Sequence, residues 1–160
     1  MAPSPPTPSG GTNISFNDLT VAGASVTSYS ESGFTVSTTS EGWVAVTTYG
    51  NPAPYIQFRA EPATTVAGGV RLTAGGSAFG FNSVDLYSNT TPIPYRITGL
   101  RDSRTVFVLA DTLPNTFGNF RRVVNPNATD RVDILLIVLT NAAGPGDSNP
   151  MGLDNIALTR

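Results

Sequence analysis

The stretch GWVAVTTYGNPAPYIQFRA, Gly42 to Ala60, decides the fold class. Val44, Val46 and Thr48 alternate with Trp43, Ala45, Thr47 and Tyr49. After Gly50-Asn51-Pro52-Ala53-Pro54, a second alternation sets Ile56, Phe58 and Ala60 against Tyr55, Gln57 and Arg59. Successive side chains of a strand point to opposite faces, so a period of two reads as two half-buried strands. The Gly/Asn/Pro interruption suits a hairpin turn. Folded on that turn, Tyr49 is expected near Tyr55, Thr47 near Gln57 and Trp43 near Glu61. Val44, Val46, Ile56 and Phe58 then face the core, and the opposite face carries Trp43, Tyr49, Tyr55, Gln57 and Arg59.

Outward from this hairpin the same pattern continues in both directions. Strands are expected near 13–19, 25–29, 33–38, 42–49, 54–60, 69–74, 78–88, 94–99, 104–110, 119–124, 131–139 and 153–159. Prolines at 52, 54, 92, 114, 126, 145 and 150 fall in the gaps, where they cost no ladder hydrogen bond. No window carries a helical period with caps. The reading is an all-β fold, a β-sandwich (jelly roll) of about ten to twelve antiparallel strands. Residues 1–12 (MAPSPPTPSGGT) read as a Pro/Thr/Ser linker remnant, and 13–160 as a single domain.

Composition narrows the function. The chain has no cysteine and no histidine, which excludes disulfides, thiol nucleophiles and histidine-dependent triads. Oxygen ligands remain, and with them hard cations such as calcium. Nine basic residues, all arginine, against eleven acidic ones give a net charge of −2, with no basic footprint for nucleic acid or an anionic membrane. No apolar run reaches the roughly 20 residues of a membrane span. Glu31, Glu41, Glu61, Asp85, Asp102 and Asp133 form no recognisable catalytic pair, so no enzyme activity is expected.

The outward row of the hairpin suits a sugar. Aromatic rings pack on the C–H face of a pyranose, while Gln and Arg offer planar hydrogen bonding to vicinal hydroxyls. The alternative is that another segment covers this face and its aromatics belong to a second apolar layer. Phe79, Phe81, Phe107, Phe117 and Phe120 are assigned to the core.

Strand phase also points to a cation. Ile14, Phe16 and Asp18 share one face of the first strand, and Asp154, Ile156 and Leu158 one face of the last. If the two strands pair antiparallel, Asp18 and Asp154 meet at one edge of the core, where a structural Ca²⁺ completed by Asn17 and Asn155 relieves their repulsion. The alternative is that each aspartate bonds turn amides. Asx residues elsewhere, Asp147 with Asn149 and Asp111 with Asn115 and Asn119, read as turn formers.

FNDL (Phe16 to Leu19), FGFNSVDLYS (Phe79 to Ser88), YRITG (Tyr95 to Gly99) and MGLDNIALT (Met151 to Thr159) resemble jelly-roll carbohydrate-binding modules of secreted bacterial glycoside hydrolases. The resemblance implies a structural calcium near the first and last strands, at positions matching Asp18 and Asp154. It implies an extracellular module that attaches a covalently linked catalytic domain to polysaccharide, of the β-glucan or cellulose type. The competing reading is a structural or adhesive domain of an exported surface protein, without a sugar site.

Overall fold

The computed structural model describes residues 10–48, 53–59, 67–141 and 149–160. Among these residues the chain forms thirteen strands and no helix: β1 (Gly11–Ile14), β2 (Ser28–Glu31), β3 (Phe34–Thr38), β4 (Trp43–Val46), β5 (Tyr55–Phe58), β6 (Ala67–Thr73), β7 (Phe79–Ser88), β8 (Ile93–Arg101), β9 (Arg104–Leu113), β10 (Arg121–Val124), β11 (Arg131–Val132), β12 (Ile134–Thr140) and β13 (Met151–Thr159). The first sheet runs β10-β7-β13-β5-β4, with β1 also on β13 and β11 also on β7. The second runs β2-β3-β6-β12-β8-β9. The two antiparallel sheets enclose one apolar core, the sandwich that the alternation predicts.

Local chemistry accounts for the turns and the core. Ser32 and Gly33 join β2 to β3, and Asp102 and Ser103 join β8 to β9, each pair at positive φ as tight hairpins require. In β12, Leu135, Ile137 and Leu139 are fully buried while the residues between them are half-buried. Inside, Phe34 stands edge-on to Phe79 at 5.4 Å, and Phe81 stacks on Phe107 at 6.3 Å.

Two expectations of strand phase are corrected. In the β4–β5 pair, Trp43 lies opposite Phe58 and Ala45 opposite Ile56. Opposed residues share a face. Because Ile56 and Phe58 point inward as expected, Trp43 and Ala45 point inward with them, and Val44 and Val46 turn outward, half-buried. The ladder starts farther from the turn than a short hairpin implies, and a slip by an odd number of residues exchanges faces. Trp43 packs on Phe58 at 5.6 Å. Tyr49 and Glu61 lie outside the described residues.

The second correction concerns β13. It pairs antiparallel with β1, Ile14 opposite Ile156, as the first and last strands were expected to do. The ladder with β7 breaks between Asp154 and Ala157, where Asn155 adopts φ 47°. This β-bulge keeps Met151, Leu153, Ile156 and Leu158 all in the core. Asp154 therefore leaves the row of Ile156 and Leu158 and sits across from Asp85. At the other end, Phe16 enters the core at φ 58° and Leu19 N–H closes a turn on its carbonyl at 3.0 Å. That turn leaves Asn17 and Asp18 exposed.

Burial of the indole gives the first test. Trp43→Ala is expected to cost about 3–5 kcal/mol of stability through the cavity it leaves. Chemical denaturation of the variant measures it, and an unchanged midpoint would return Trp43 to the surface.

Candidate functional site

Ladder registers set out the outer surface of the first sheet row by row. One row carries Val44, Gln57, Gly152 and Tyr87. The neighbouring row carries Val46 and Tyr55 on β4 and β5, and Asp154, Asp85 and Arg122 on β13, β7 and β10. At the centre, the Tyr87 hydroxyl donates to Gln57 Oε1 at 3.2 Å and meets the Tyr55 hydroxyl at 2.9 Å. Phe120 stands edge-on to both tyrosine rings, 5.1 Å from each. The Tyr87 ring lies directly over Gly152, where a Cβ would collide with it. Glycine lets the ring settle onto the sheet. The result is a closed aromatic layer in which Tyr55, Gln57 and Tyr87 are buried.

Beside this layer lies a polar cluster. Arg122 grips Asp85 through Nε at 2.9 Å and Nη2 at 3.2 Å. The arginine side chain remains 63 % exposed, so the pair fixes a guanidinium whose outer edge faces solvent. Asn155 Nδ2 donates to Asp85 at 3.2 Å and to Asp154 at 3.1 Å, while Asn13 Nδ2 donates to Asn155 Oδ1 at 2.9 Å. Burial pushes the Asp154 carboxyl up to about 7, with the charges of Asp85 and Glu31 adding to the rise and the Asn155 amide opposing it. Asp85 and Asp154 are the two carboxylates the sheet brings together.

At the Ser88 end of the same face the β9–β10 connection presents Phe117. Its ring is 77 % exposed and its backbone sits at φ 53°. Positive φ is rare for a bulky residue and costs about 1–2 kcal/mol. The loop holds it there. Asn115 Oδ1 accepts the Phe117 N–H at 2.9 Å, Ser88 O accepts Gly118 N–H at 3.0 Å, and Thr116 exchanges hydrogen bonds with Ser88 at 2.9 and 3.0 Å. Phe117 and Phe120, expected in the core, both lie outside it. Phe117 falls between the expected strands 104–110 and 119–124, among Asx residues read as turn formers, and its assignment to the core rests on its being aromatic.

A separate cleft of about 790 Å³ opens beside β4. Here residues 24–27 cross between the sheets: Val26 N–H bonds Trp43 O at 2.9 Å on β4, and Thr27 O accepts Thr38 N–H at 3.0 Å on β3. Glu41, Trp43 and Arg59 line it.

The five expected sugar contacts thus separate. Trp43 and Arg59 border the cleft, with only Arg59 exposed; Tyr55 and Gln57 belong to the closed aromatic layer, and Tyr49 lies outside the described residues. The expected cation ligands come from two segments. Asp18 and Asn17 sit in the exposed turn, while Asp154 and Asn155 bond one another on the outer face. Calcium takes six to eight oxygens. Each Asp154 carboxylate oxygen accepts one hydrogen bond from Asn155. Among the described residues no group of three or more Asp, Glu, His or Cys is placed to hold a metal ion. Of the Asx residues expected in turns, Asn115 closes one by accepting the Phe117 N–H, whereas Asn149 Oδ1 accepts the distant amides of Asn89 and Thr90 and Asp111 lies within β9. Asp147 lies outside the described residues.

Comparison with known proteins gives no family model and no curated protein that matches the chain. Solved structures do share its fold. A family 29 carbohydrate-binding module from Piromyces equi superposes with a TM-score of 0.52 at 14 % identity, covering 94 % of this chain and 91 % of its own. A mutant of a second family 29 module gives 0.51 at 13 % identity over the same shares. An arabinose-bound α-L-arabinofuranosidase gives 0.53 at 10 % identity over 91 % of this chain, which spans 26 % of that enzyme. At these identities the likeness is one of fold: the chain is built as a jelly-roll sandwich of the kind found in carbohydrate-binding modules.

The buried Asp154 carboxyl predicts a pH dependence. Its ordinary value of 3.8 rises to about 7 on folding, so the stability it contributes is present below about pH 4 and is lost as pH rises through 7. Melting temperature in EDTA should fall over that window, and Asp154→Asn should flatten the fall. A rise in melting temperature at neutral pH on adding Ca²⁺ would place a cation on these carboxylates, and an unchanged curve would sink the calcium expectation.

Proposed function

We propose that the chain is a non-catalytic carbohydrate-binding module whose glycan lies along the outer face of the first sheet. The observation that carries this reading is Phe117, an aromatic ring held in solvent at a strained backbone angle by a loop hydrogen-bonded to Ser88 and Asn115. Strain maintained at an exposed aromatic has no use in packing, and such outliers cluster where ligands are held. The flat face of the ring suits the C–H side of a pyranose. The guanidinium fixed by Asp85 adds directed donors for sugar hydroxyls.

An enzymatic reading finds less support. A glycosidase needs two carboxyl groups that reach the scissile bond. Asp85 and Asp154 are neighbours, but Asp154 is fully buried and both its oxygens bond Asn155. The fold shared with the family 29 modules over nearly their whole length agrees with a binding role. In a secreted parent protein, the Pro/Thr/Ser segment at residues 1–12 would tether the module to an enzyme and raise the local concentration of polysaccharide. β-Glucans and cellulose are the first substrates to try.

Affinity electrophoresis against soluble polysaccharides tests the proposal. Phe117→Ala should weaken binding by about 1–3 kcal/mol, the scale of one hot-spot side chain. Its melting temperature should hold, because the ring packs on little. Phe117→Gly should lose binding equally while melting at or above the wild type, since glycine accepts positive φ without strain. Undiminished retardation of both variants would remove the outer face as the binding site.

A further inference from the structure

We infer that the cleft beside β4 is a second carbohydrate site, one that takes a neutral sugar residue independently of the outer face. The inference extends the binding reading to another part of the molecule, and its test separates the two.

The cleft, at about 790 Å³, falls within the range of roughly 300–1,000 Å³ typical of ligand pockets. Its walls are unlike those of an apolar pocket. Ser25, Thr27, Thr38 and Ser40 line it with short hydroxyl side chains, and among the described residues its charges are one carboxylate, Glu41, and one guanidinium, Arg59. Both are exposed, and neither has an ion-pair partner among the described residues. Arg59 N–H bonds Gly42 O at 2.8 Å, which fixes the guanidinium's origin beside the residue that follows Glu41. Gly42 sits at φ 92°, and a Cβ there would press on Arg59 O, so the close approach depends on glycine.

This chemistry selects its guest. A guanidinium donates two parallel hydrogen bonds and a carboxylate accepts two, which together match the alternating roles of vicinal hydroxyls. Opposite charges of equal number give no preference for an anion or a cation, and hydroxyl walls give little to an apolar guest. Trp43 backs the cleft from the core side: it is 2 % exposed and packs on Phe58, and its buried indole N–H has no acceptor among the described residues.

Trp43 is the chain's single tryptophan and it lines the cleft, so its emission reports occupancy there. The probes are glucose, galactose, mannose, xylose and arabinose at millimolar concentrations, with glucuronate and galacturonate as anionic counterparts. At least one neutral sugar should shift the emission saturably. Arg59→Ala and Glu41→Gln should each weaken that response about tenfold, as the loss of one paired hydrogen-bonding group does. Arg59→Lys, which keeps the charge and loses the fork, should weaken it similarly. Phe117→Ala should leave it unchanged. The cleft is overturned if no neutral sugar moves the emission, if the uronates bind more tightly, or if the Arg59 and Glu41 variants respond as the wild type does. A response lost in Phe117→Ala would show a single shared site and overturn the cleft's independence. Retardation lost in Phe117→Ala reports the outer face and emission lost in Arg59→Ala reports the cleft, so either site can fail without the other.

Discussion

The bulge in β13 is the constraint on which the first sheet depends. β13 is bonded to β7 along one edge and to β5 and β1 end to end along the other. A regular strand of its length could not place Met151 and Leu153 in the same core as Ile156 and Leu158, because two residues of odd number and two of even number would face opposite ways. The left-handed turn at Asn155 reconciles them. Asparagine tolerates that conformation better than other side chains. Its amide then bridges Asp154 and Asp85, so the residue that bends the strand also binds the carboxylates the bend brings together.

Everything on the outer face follows from that register. With Gly152 opposite both Gln57 and Tyr87, the tyrosine ring can lie flat on the sheet and its hydroxyl can reach across to Gln57. Phe120 then caps both tyrosines from the loop that carries Phe117. A closed aromatic layer in the middle of the face leaves its two sides as the accessible parts: Phe117 and Arg122 toward β10, and the cleft with Arg59 beyond β4.

The alternation of Ile56 and Phe58, the burial of Ile14 and Phe16 and the pairing of first with last strand were all legible, because each depends only on a period of two and on compact topology. Trp43 was misplaced because strand phase within one segment does not fix the register between two. Asp154 was misplaced because one left-handed residue inverts everything after it, and nothing in Leu-Asp-Asn-Ile announces the inversion. Phe117 escaped notice for a related reason. Its exposure comes from hydrogen bonds to Ser88 and Asn115 that exist only once the loop is folded against β7. Tyr87, Asp85 and Arg122 were present in strands read correctly, but their partnership is a matter of ladder neighbours far apart in the chain.

The pairing of β1 with β13 sets Gly11 directly across from Thr159. Opposed residues of an antiparallel ladder stand only about 5 Å apart. The first and last strands therefore lie side by side, on the flank of β13 away from β7. A unit closed in this way can be spliced into a surface loop of a larger protein as readily as it can be hung from one end. The host's own chain path need open by little more than the width of one strand.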